Sequence, residues 1–319
     1  MTKKQVVLIT GGTGFLGKRL GLKLKEQYDV ILTGRNNKQN FQAQNYTGCN
    51  IAPLDVTNIE SVRDVFNEFK PAIVIHAAAT KFVDLAEVYP MECVDVNVIG
   101  SQNIARVAMD KGTGVVIGIS TDKAAPPVRN TYGLSKAMME RMFCAMDGKS
   151  DTKFTAVRYG NVAWSTGSVL TIWKKMLAAT GTIGTTGPEM RRFFFTVDEA
   201  VNLVSTALSN IDLVKGKVLS RKMKAAQMEE IINVWTKLSG AKYEKIEGRP
   251  GERNDEFLIG ELELPYTEEI MLNDILHYLI SFNKKVSNPV SVGLSSANTE
   301  RLTENEIIEI INNPPFEEV

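Results

Sequence analysis

Tyr132 and Lys136 stand four positions apart, a spacing that places both on one face of a helix. An ammonium beside a phenol favours the phenolate. Lys136 is therefore expected to lower the pKa of Tyr132, letting it take a proton from a hydroxyl while hydride leaves the same carbon. The spacing alone equally describes a surface pair, but its setting is informative. Ser120 and Thr121 end the apolar run 114–119 just upstream, and ligands of open α/β sheets bind beyond the carboxyl ends of strands. A second cluster, Gly11, Gly14 and Gly17, forms GxxGxxG between the β-branched run 6–10 and a segment with Leu16, Leu20 and Leu24 at helical spacing. Glycine at such a strand-to-helix turn lets the backbone bend tightly and approach a pyrophosphate, with the helix N-terminus facing the phosphates. Thr13, Phe15 and Leu16 share that turn, whose plain alternative is a tight bend without a ligand. Hydride chemistry and a dinucleotide turn together predict a nicotinamide cofactor.

Its form is read from the end of the second apolar run, Thr33-Gly34-Arg35-Asn36, which lacks the carboxylate that accepts both hydroxyls of an NAD adenosine ribose. Arg35 can instead pair with a 2′-phosphate, because a planar guanidinium suits phosphate oxygens. NADP is therefore expected over NAD. Asp55, followed by Val56, can accept from the adenine amino group or cap the helix that starts near Ile59.

To position these residues the chain must supply strands and helices in alternation. Short apolar runs at 30–33, 51–54, 72–76, 114–119 and 154–157 are separated by helical stretches such as 59–69 and 98–111. That pattern predicts an α/β fold, a Rossmann-type doubly wound parallel sheet covered on both faces. After Gly160 the sequence becomes irregular, with Gly and Thr clustered over 180–187 and shorter helical segments at 197–208 and 228–238. Residues 1–163 are read as the NADP-binding domain and 164–319 mainly as a smaller C-terminal substrate-binding lobe, with 197–220 open to returning to the first domain.

Bulk properties fit a globular enzyme of small molecules. In 319 residues, 44% hydrophobic and 23% charged content argue against disorder, and 37 basic against 37 acidic residues argue against nucleic acid as the main partner. Cys49, Cys93 and Cys144 form no CxxC pair and are read as free thiols of a reducing compartment. No stretch approaches the roughly 20 apolar residues of a membrane helix, so a cytoplasmic protein without membrane partner is expected. No metal site is expected either, and a homo-oligomer, a dimer or larger, is the default assembly.

The ordered motifs resemble those of the short-chain dehydrogenase/reductase superfamily, and the length with a substrate lobe resembles its extended branch. They are Gly11-Gly12-Thr13-Gly14-Phe15-Leu16-Gly17, Leu54-Asp55-Val56, His76-Ala77-Ala78-Ala79, Asn97-Val98-Ile99-Gly100, Ser120-Thr121 and Tyr132-Gly133-Leu134-Ser135-Lys136. The resemblance implies that Thr121, Tyr132 and Lys136 carry the hydroxyl, base and lysine roles. It also implies that Val56, Ala77, Ala78, Ala79 and Asn97 join the turn, Arg35 and Asp55 around the cofactor.

Further segments narrow the likeness. Ser120-Thr121-Asp122-Lys123-Ala124-Ala125-Pro126 is similar to the STDKAA segment of inverting UDP-N-acetylglucosamine 4,6-dehydratases and their polysaccharide-biosynthesis (CapD-like) relatives. Lys81 in His76-Ala77-Ala78-Ala79-Thr80-Lys81, Asn161 in Arg158-Tyr159-Gly160-Asn161-Val162, Arg192 in Met190-Arg191-Arg192-Phe193-Phe194, and Arg249 and Glu252 in Arg249-Pro250-Gly251-Glu252-Arg253 fall in similar motifs. With Ser168, they are the substrate-binding candidates, the arginines neutralising a diphosphate and Asn161 donating to phosphate or sugar. The resemblance implies a sequence in which Tyr132 deprotonates the C4 hydroxyl, Lys123 removes the acidified C5 proton and a protonated Asp122 protonates the departing C6 hydroxyl. Lys123 must then be neutral, and desolvation beside Lys136 and Lys81 is expected to lower its pKa.

The glycine turn departs from these relatives towards the epimerases, Thr166 stands where they carry arginine, and the loop from Lys123 to Tyr132 is one residue longer. The segment Ser295-Ser296-Ala297-Asn298-Thr299-Glu300-Arg301-Leu302 resembles the SSxNTxRL ending of capsule and O-antigen relatives, or simply leads into a helix from Glu304. Two rivals to the dehydratase are a UDP-N-acetylhexosamine 4-epimerase and, from another class, an NADP-sensing binding protein of the same fold.

Overall fold

The computed structural model describes residues 4–248 and 251–314. Its centre is a nine-stranded sheet. Val6–Thr10 (β1), Asp29–Gly34 (β2), Asn50–Pro53 (β3), Ile73–His76 (β4), Val115–Ile119 (β5) and Lys153–Arg158 (β6) run parallel in the order 3-2-1-4-5-6. The strand Val218–Arg221 continues this parallel set beside β6, and Ile275–Ile280 and Thr267–Leu272 close that edge antiparallel. The chain is thus a doubly wound α/β protein of Rossmann type, as the alternation of apolar runs and helical stretches predicts.

The continuous apolar character of the strands follows from burial on both faces. Val7 and Ile9 of β1 point to the layer formed by helix α1 (Phe15–Leu24) and the helix Val197–Ser209, which contribute Leu20, Leu24, Val201 and Val204. Leu8, between them, points to the opposite layer, where the helices Ile59–Phe69, Gly100–Asp110 and Thr131–Met146 place Phe66, Ile104 and Phe143. Successive strand side chains alternate faces, so covering both removes the polar half of the pattern. Segment 197–220 packs here, its helix on the first layer and Val218–Arg221 in the sheet.

A second core lies over the carboxyl ends of the strands. Trp164, Trp173 and Trp235 meet at its centre, with Trp235 5.8 Å from Trp164 and 5.7 Å from Trp173 between ring centroids. Around them sit the helices Val169–Thr180, Met228–Ser239 and Glu304–Asn312, and a three-stranded sheet of Asn161–Val162, Arg191–Phe195 and Ala225–Gln227. Phe15, from the start of α1, is buried in this same core, which ties the glycine turn to the lobe.

One buried charge cluster joins the layers. Arg158, fully buried at the end of β6, makes two hydrogen bonds to Glu140 and two to Glu263 at 2.6–2.9 Å, and donates to the Leu258 carbonyl. Cys49, Cys93 and Cys144 are buried free thiols.

Candidate active site

A cavity of about 940 Å³ opens where the strand order reverses between β1 and β4, bounded by the strand ends below and the lobe above. Gly11, Thr13, Gly14, Phe15, Leu16 and Gly17 form its floor. Gly11 holds φ +63°, and a Cβ there would come within 2.7 Å of the Ala78 nitrogen, so the turn and the end of β4 approach too closely for any side chain. A Cβ at Gly17 would lie 2.5 Å from the Gly12 Cα, so glycine lets α1 press onto the turn. The N-cap of α1 is Gly14, without a side-chain cap, leaving first-turn N–H groups directed at the floor. This cradle fits a pyrophosphate.

Arg35 is exposed at the end of β2 and lines one end of the cavity beside Asn36 and Gln39. Asp55 and Val56 line the same region. Asp55 accepts from the Thr57 backbone and hydroxyl through one oxygen, whereas the cap of the Ile59–Phe69 helix is Asn58. Ala77, Ala78 and Ala79 form the wall after β4. Asn97 differs from expectation. It is fully buried off the cavity, where it exchanges hydrogen bonds with the Thr80 backbone and donates to Ser135. A five-residue π-turn, Asp95–Ile99, aims it there, so Asn97 acts by fixing the 77–80 wall to the Tyr132 helix.

Thr121, Lys123, Tyr132 and Lys136 converge on the cavity from the end of β5 and the first two turns of the Thr131–Met146 helix. Asn130 caps that helix by accepting from the Gly133 N–H. Thr121 donates to Asp122 Oδ1 at 2.8 Å, while Lys123 Nζ donates to the same Oδ1 at 3.0 Å. Thr121, Asp122 and Lys123 thus share one oxygen, with Tyr132 beside them on the cavity wall. Asp122 is fully buried just behind the wall, with Oδ2 against Gly160 and no hydrogen-bond partner for it among the described residues.

The electrostatics correct two expectations. Tyr132 is raised to about 12, first by burial, with Asp122 adding and Lys123 and Thr121 opposing. Lys136 does not offset this, because its Nζ donates to the Ile119 carbonyl at 2.8 Å and burial lowers its own pKa to about 8. Lys123 is raised rather than lowered. Burial disfavours its charge, but the Asp122 and Glu256 carboxylates, with Nζ 3.0 and 3.4 Å from their oxygens, outweigh burial. Its neighbours are these anions, not Lys136 and Lys81. Burial pushes the Asp122 carboxyl up.

Glu256 is the residue that sequence reasoning missed. It lines the cavity almost fully buried, contacts Lys123 and accepts from Arg253 Nε at 2.7 Å. Its backbone is clamped by Ser296, which accepts from the Glu256 N–H at 3.0 Å and donates its own N–H to the Glu256 carbonyl at 2.8 Å. The only signal for it is adjacency, three residues beyond Arg253. The Ser295–Leu302 segment therefore supports this loop from behind.

Of the substrate candidates, Lys81, Asn161, Ser168, Arg192 and Glu252 all line the cavity, and Arg249 lies outside the described residues. Asn161 accepts from Lys123 Nζ at 3.3 Å. Arg192 is nearly buried, its Nη1 donating to the Arg191 and Asn254 carbonyls and its Nε 4.0 Å from Glu256. Ser168 shares a hydrogen bond with Thr171 at the start of the Val169–Thr180 helix. Among the described residues no group of three His, Cys, Asp or Glu side chains is placed to hold a metal ion. No described helix is long and apolar enough to cross a membrane.

Comparisons with known proteins agree on kinship. The family described as "Polysaccharide biosynthesis protein" matches residues 7–276. A UDP-N-acetylglucosamine 4,6-dehydratase (inverting) of Campylobacter jejuni is 36% identical over 68% of this chain and 66% of its own. A UDP-glucose 4-epimerase of Rickettsia bellii is 30% identical over 97% of this chain and 96% of its own. Among solved structures, Pen from Bacillus thuringiensis superposes with a TM-score of 0.88 at 28% identity, covering 98% of this chain and 99% of that one. With the family matched from β1 to the last sheet strand and the Thr121, Tyr132 and Lys136 set in place, the chain belongs to the polysaccharide-biosynthesis branch of the extended short-chain dehydrogenase/reductases.

Proposed function

We propose that this protein is a nucleotide-sugar 4,6-dehydratase of the 5-inverting kind, with UDP-N-acetylglucosamine as substrate and NADP as its tightly held cofactor. The observation that carries this reading is the Asp122–Lys123 pair, bonded to Thr121 and placed beside Tyr132 at the cavity. Oxidation or epimerisation at C4 requires only Thr121, Tyr132 and Lys136, whereas elimination needs a further base and a further acid. When held there, the cofactor would supply a hydride acceptor and then a hydride donor, leaving no net redox change. The turn from Gly11 to Gly17 holds its pyrophosphate, and Arg35, on a strand end without a carboxylate, selects the 2′-phosphate.

Tyr132 takes the C4 hydroxyl proton as phenolate, a form that burial opposes and that the positive nicotinamide ring of an oxidised cofactor would favour. The next step requires a neutral amine and a protonated acid together, and the resting pair supplies both in one move. Transfer of a proton from Lys123 Nζ to Asp122 Oδ1 along their 3.0 Å hydrogen bond converts the ion pair into neutral partners. A buried, water-poor setting favours that neutral form. Lys123 then takes the C5 proton. Because Asp122 lies behind the wall, its proton reaches the sugar through the Thr121 hydroxyl: Thr121 turns its own proton from Oδ1 to the C6 oxygen as water leaves and takes the Oδ1 proton in its place, reversing its resting bond to Asp122.

Incubation with UDP-N-acetylglucosamine in deuterated water tests the reading. The expected product has lost one water, carries a 4-keto group and holds solvent deuterium at C5. Lys123→Ala is expected to abolish this product while C4 oxidation persists, seen as reduced cofactor. The full-length likeness to a 4-epimerase favours one rival, for which UDP-N-acetylgalactosamine would appear at unchanged mass.

A further inference from the structure

Lys123 is held by two carboxylates, yet the elimination uses only one. Asp122 and Glu256 approach its Nζ at 3.0 and 3.4 Å, from the end of β5 and from the loop before the strand Phe257–Ile259. The polar and charged groups facing Lys123 are Asp122, Glu256, Asn161, Tyr132 and Arg192. Those facing Glu256 are Lys123, Arg192 at 4.0 Å, Arg253 at 2.7 Å and, as a like charge, Asp122. Glu256 is 3% exposed and its backbone is fixed by Ser296 on both sides, so its carboxylate cannot swing away as a surface glutamate would.

Building on the dehydratase reading, we propose that Glu256 is a positioning residue that anchors the Lys123 ammonium and sets the pH range in which the Asp122–Lys123 pair holds the single proton that elimination requires.

The two carboxylates differ in what surrounds them. Arg253 and Arg192, with Lys123, keep Glu256 ionised against the cost of burial, so it is a fixed negative charge. Asp122 has no arginine among the groups acting on it and is pushed up by burial, so it is the partner that exchanges protons with Lys123. A fixed anion beside a pair of titrating groups strengthens proton binding at both steps, raising the two apparent pKa values of the pair together. Glu256 therefore shifts the whole window in which one proton resides on the pair towards higher pH. It also pins Nζ on the cavity wall beside Asn161, ready for a carbon-bound proton.

The test is the pH dependence of kcat/KM for dehydration of UDP-N-acetylglucosamine by wild type, Glu256→Gln and Glu256→Asp. Glutamine keeps size and polarity without the charge. Both limbs of its profile are expected to move to lower pH by about one unit or more, the shift typical of removing an opposite charge within hydrogen-bond range. The shortened carboxylate of Glu256→Asp stands farther from Nζ and should move both limbs the same way by less, and it alone carries the test if the glutamine protein does not fold. Limbs that stay in place while the rate falls, or that move upward, would overturn the proposal in favour of a packing role. Lys123→Ala in the same assay separates the two ideas. If that variant still dehydrates the sugar, the base assignment fails; if it is inactive and the Glu256 limbs stay still, only the role of Glu256 fails.

Discussion

Arg35 is the side chain on which the proposed preference for NADP rests. It is exposed at the end of β2, on the cavity wall, at the position where a carboxylate would hold the unphosphorylated ribose. Arg35→Ala is expected to raise the Kd for NADP by about 10- to 100-fold, the worth of one or two charge-assisted hydrogen bonds. The Kd for NAD should change little, and fluorescence titration of both cofactors checks the difference. Equal losses for the two would mean that Arg35 supports the loop rather than the phosphate. At this scale the sequence was most readable for placement: the glycine turn, Thr121, Lys123, Tyr132 and Lys136 all reach one cavity. Protonation was not readable. The Lys123 ammonium is stabilised by Glu256, 133 positions away in sequence, and Lys136 is oriented by a backbone carbonyl that no side-chain pattern encodes.

Among the elements, β6 carries an unusual load. Its last residue, Arg158, is fully buried between Glu140 on the Tyr132 helix and Glu263 in the 3-10 turn Glu261–Tyr266. Removing the guanidinium leaves two buried carboxylates without their cation. Arg158→Met should therefore destabilise the fold by about 3–5 kcal/mol, read as a lower urea midpoint. A change below about 1 kcal/mol would show that water reaches the two glutamates. The strands were legible because fully buried runs are short, apolar and bounded by turns, and Ile59–Phe69 was legible from its stripe of apolar residues. The helix Asn37–Thr47 was not, since a mostly polar segment with few buried residues offers no periodicity to find. The edge strand Thr267–Leu272 was hidden for a related reason, since it sets Glu268 and Glu269 among apolar residues, whereas its neighbour Ile275–Ile280 is apolar and mostly buried and was legible in principle.

For the whole molecule, the question is how the lobe holds its wall of the cavity. Trp164 has a left-handed backbone, φ 62°, and its Nε1 donates to the Ile310 carbonyl of the Glu304–Asn312 helix at 2.6 Å. Ser165, Thr166, Gly167 and Ser168, which follow it, line the cavity. Trp164→Phe removes the hydrogen bond and part of the tryptophan cluster. Stability should fall by about 1–2 kcal/mol. KM for the nucleotide sugar should rise while the Kd for NADP, bound on the opposite wall, stays near its wild-type value. A parallel rise in both constants would mean that the lobe and the glycine turn respond as one unit through Phe15.

The path of the chain has a consequence for how such a protein can be altered. After β6 it builds part of the lobe over 161–195, returns to the sheet at Val218–Arg221, leaves again over 225–245, supplies the sheet edge over 267–280 and ends on the lobe with Glu304–Asn312. No single cut divides the sheet and its helices from the lobe. Exchanging the lobe to change the accepted sugar would require transplanting several separated stretches at once, each with the seam it makes against the sheet. Diversification by point substitutions along the cavity wall, in contrast, leaves every seam intact.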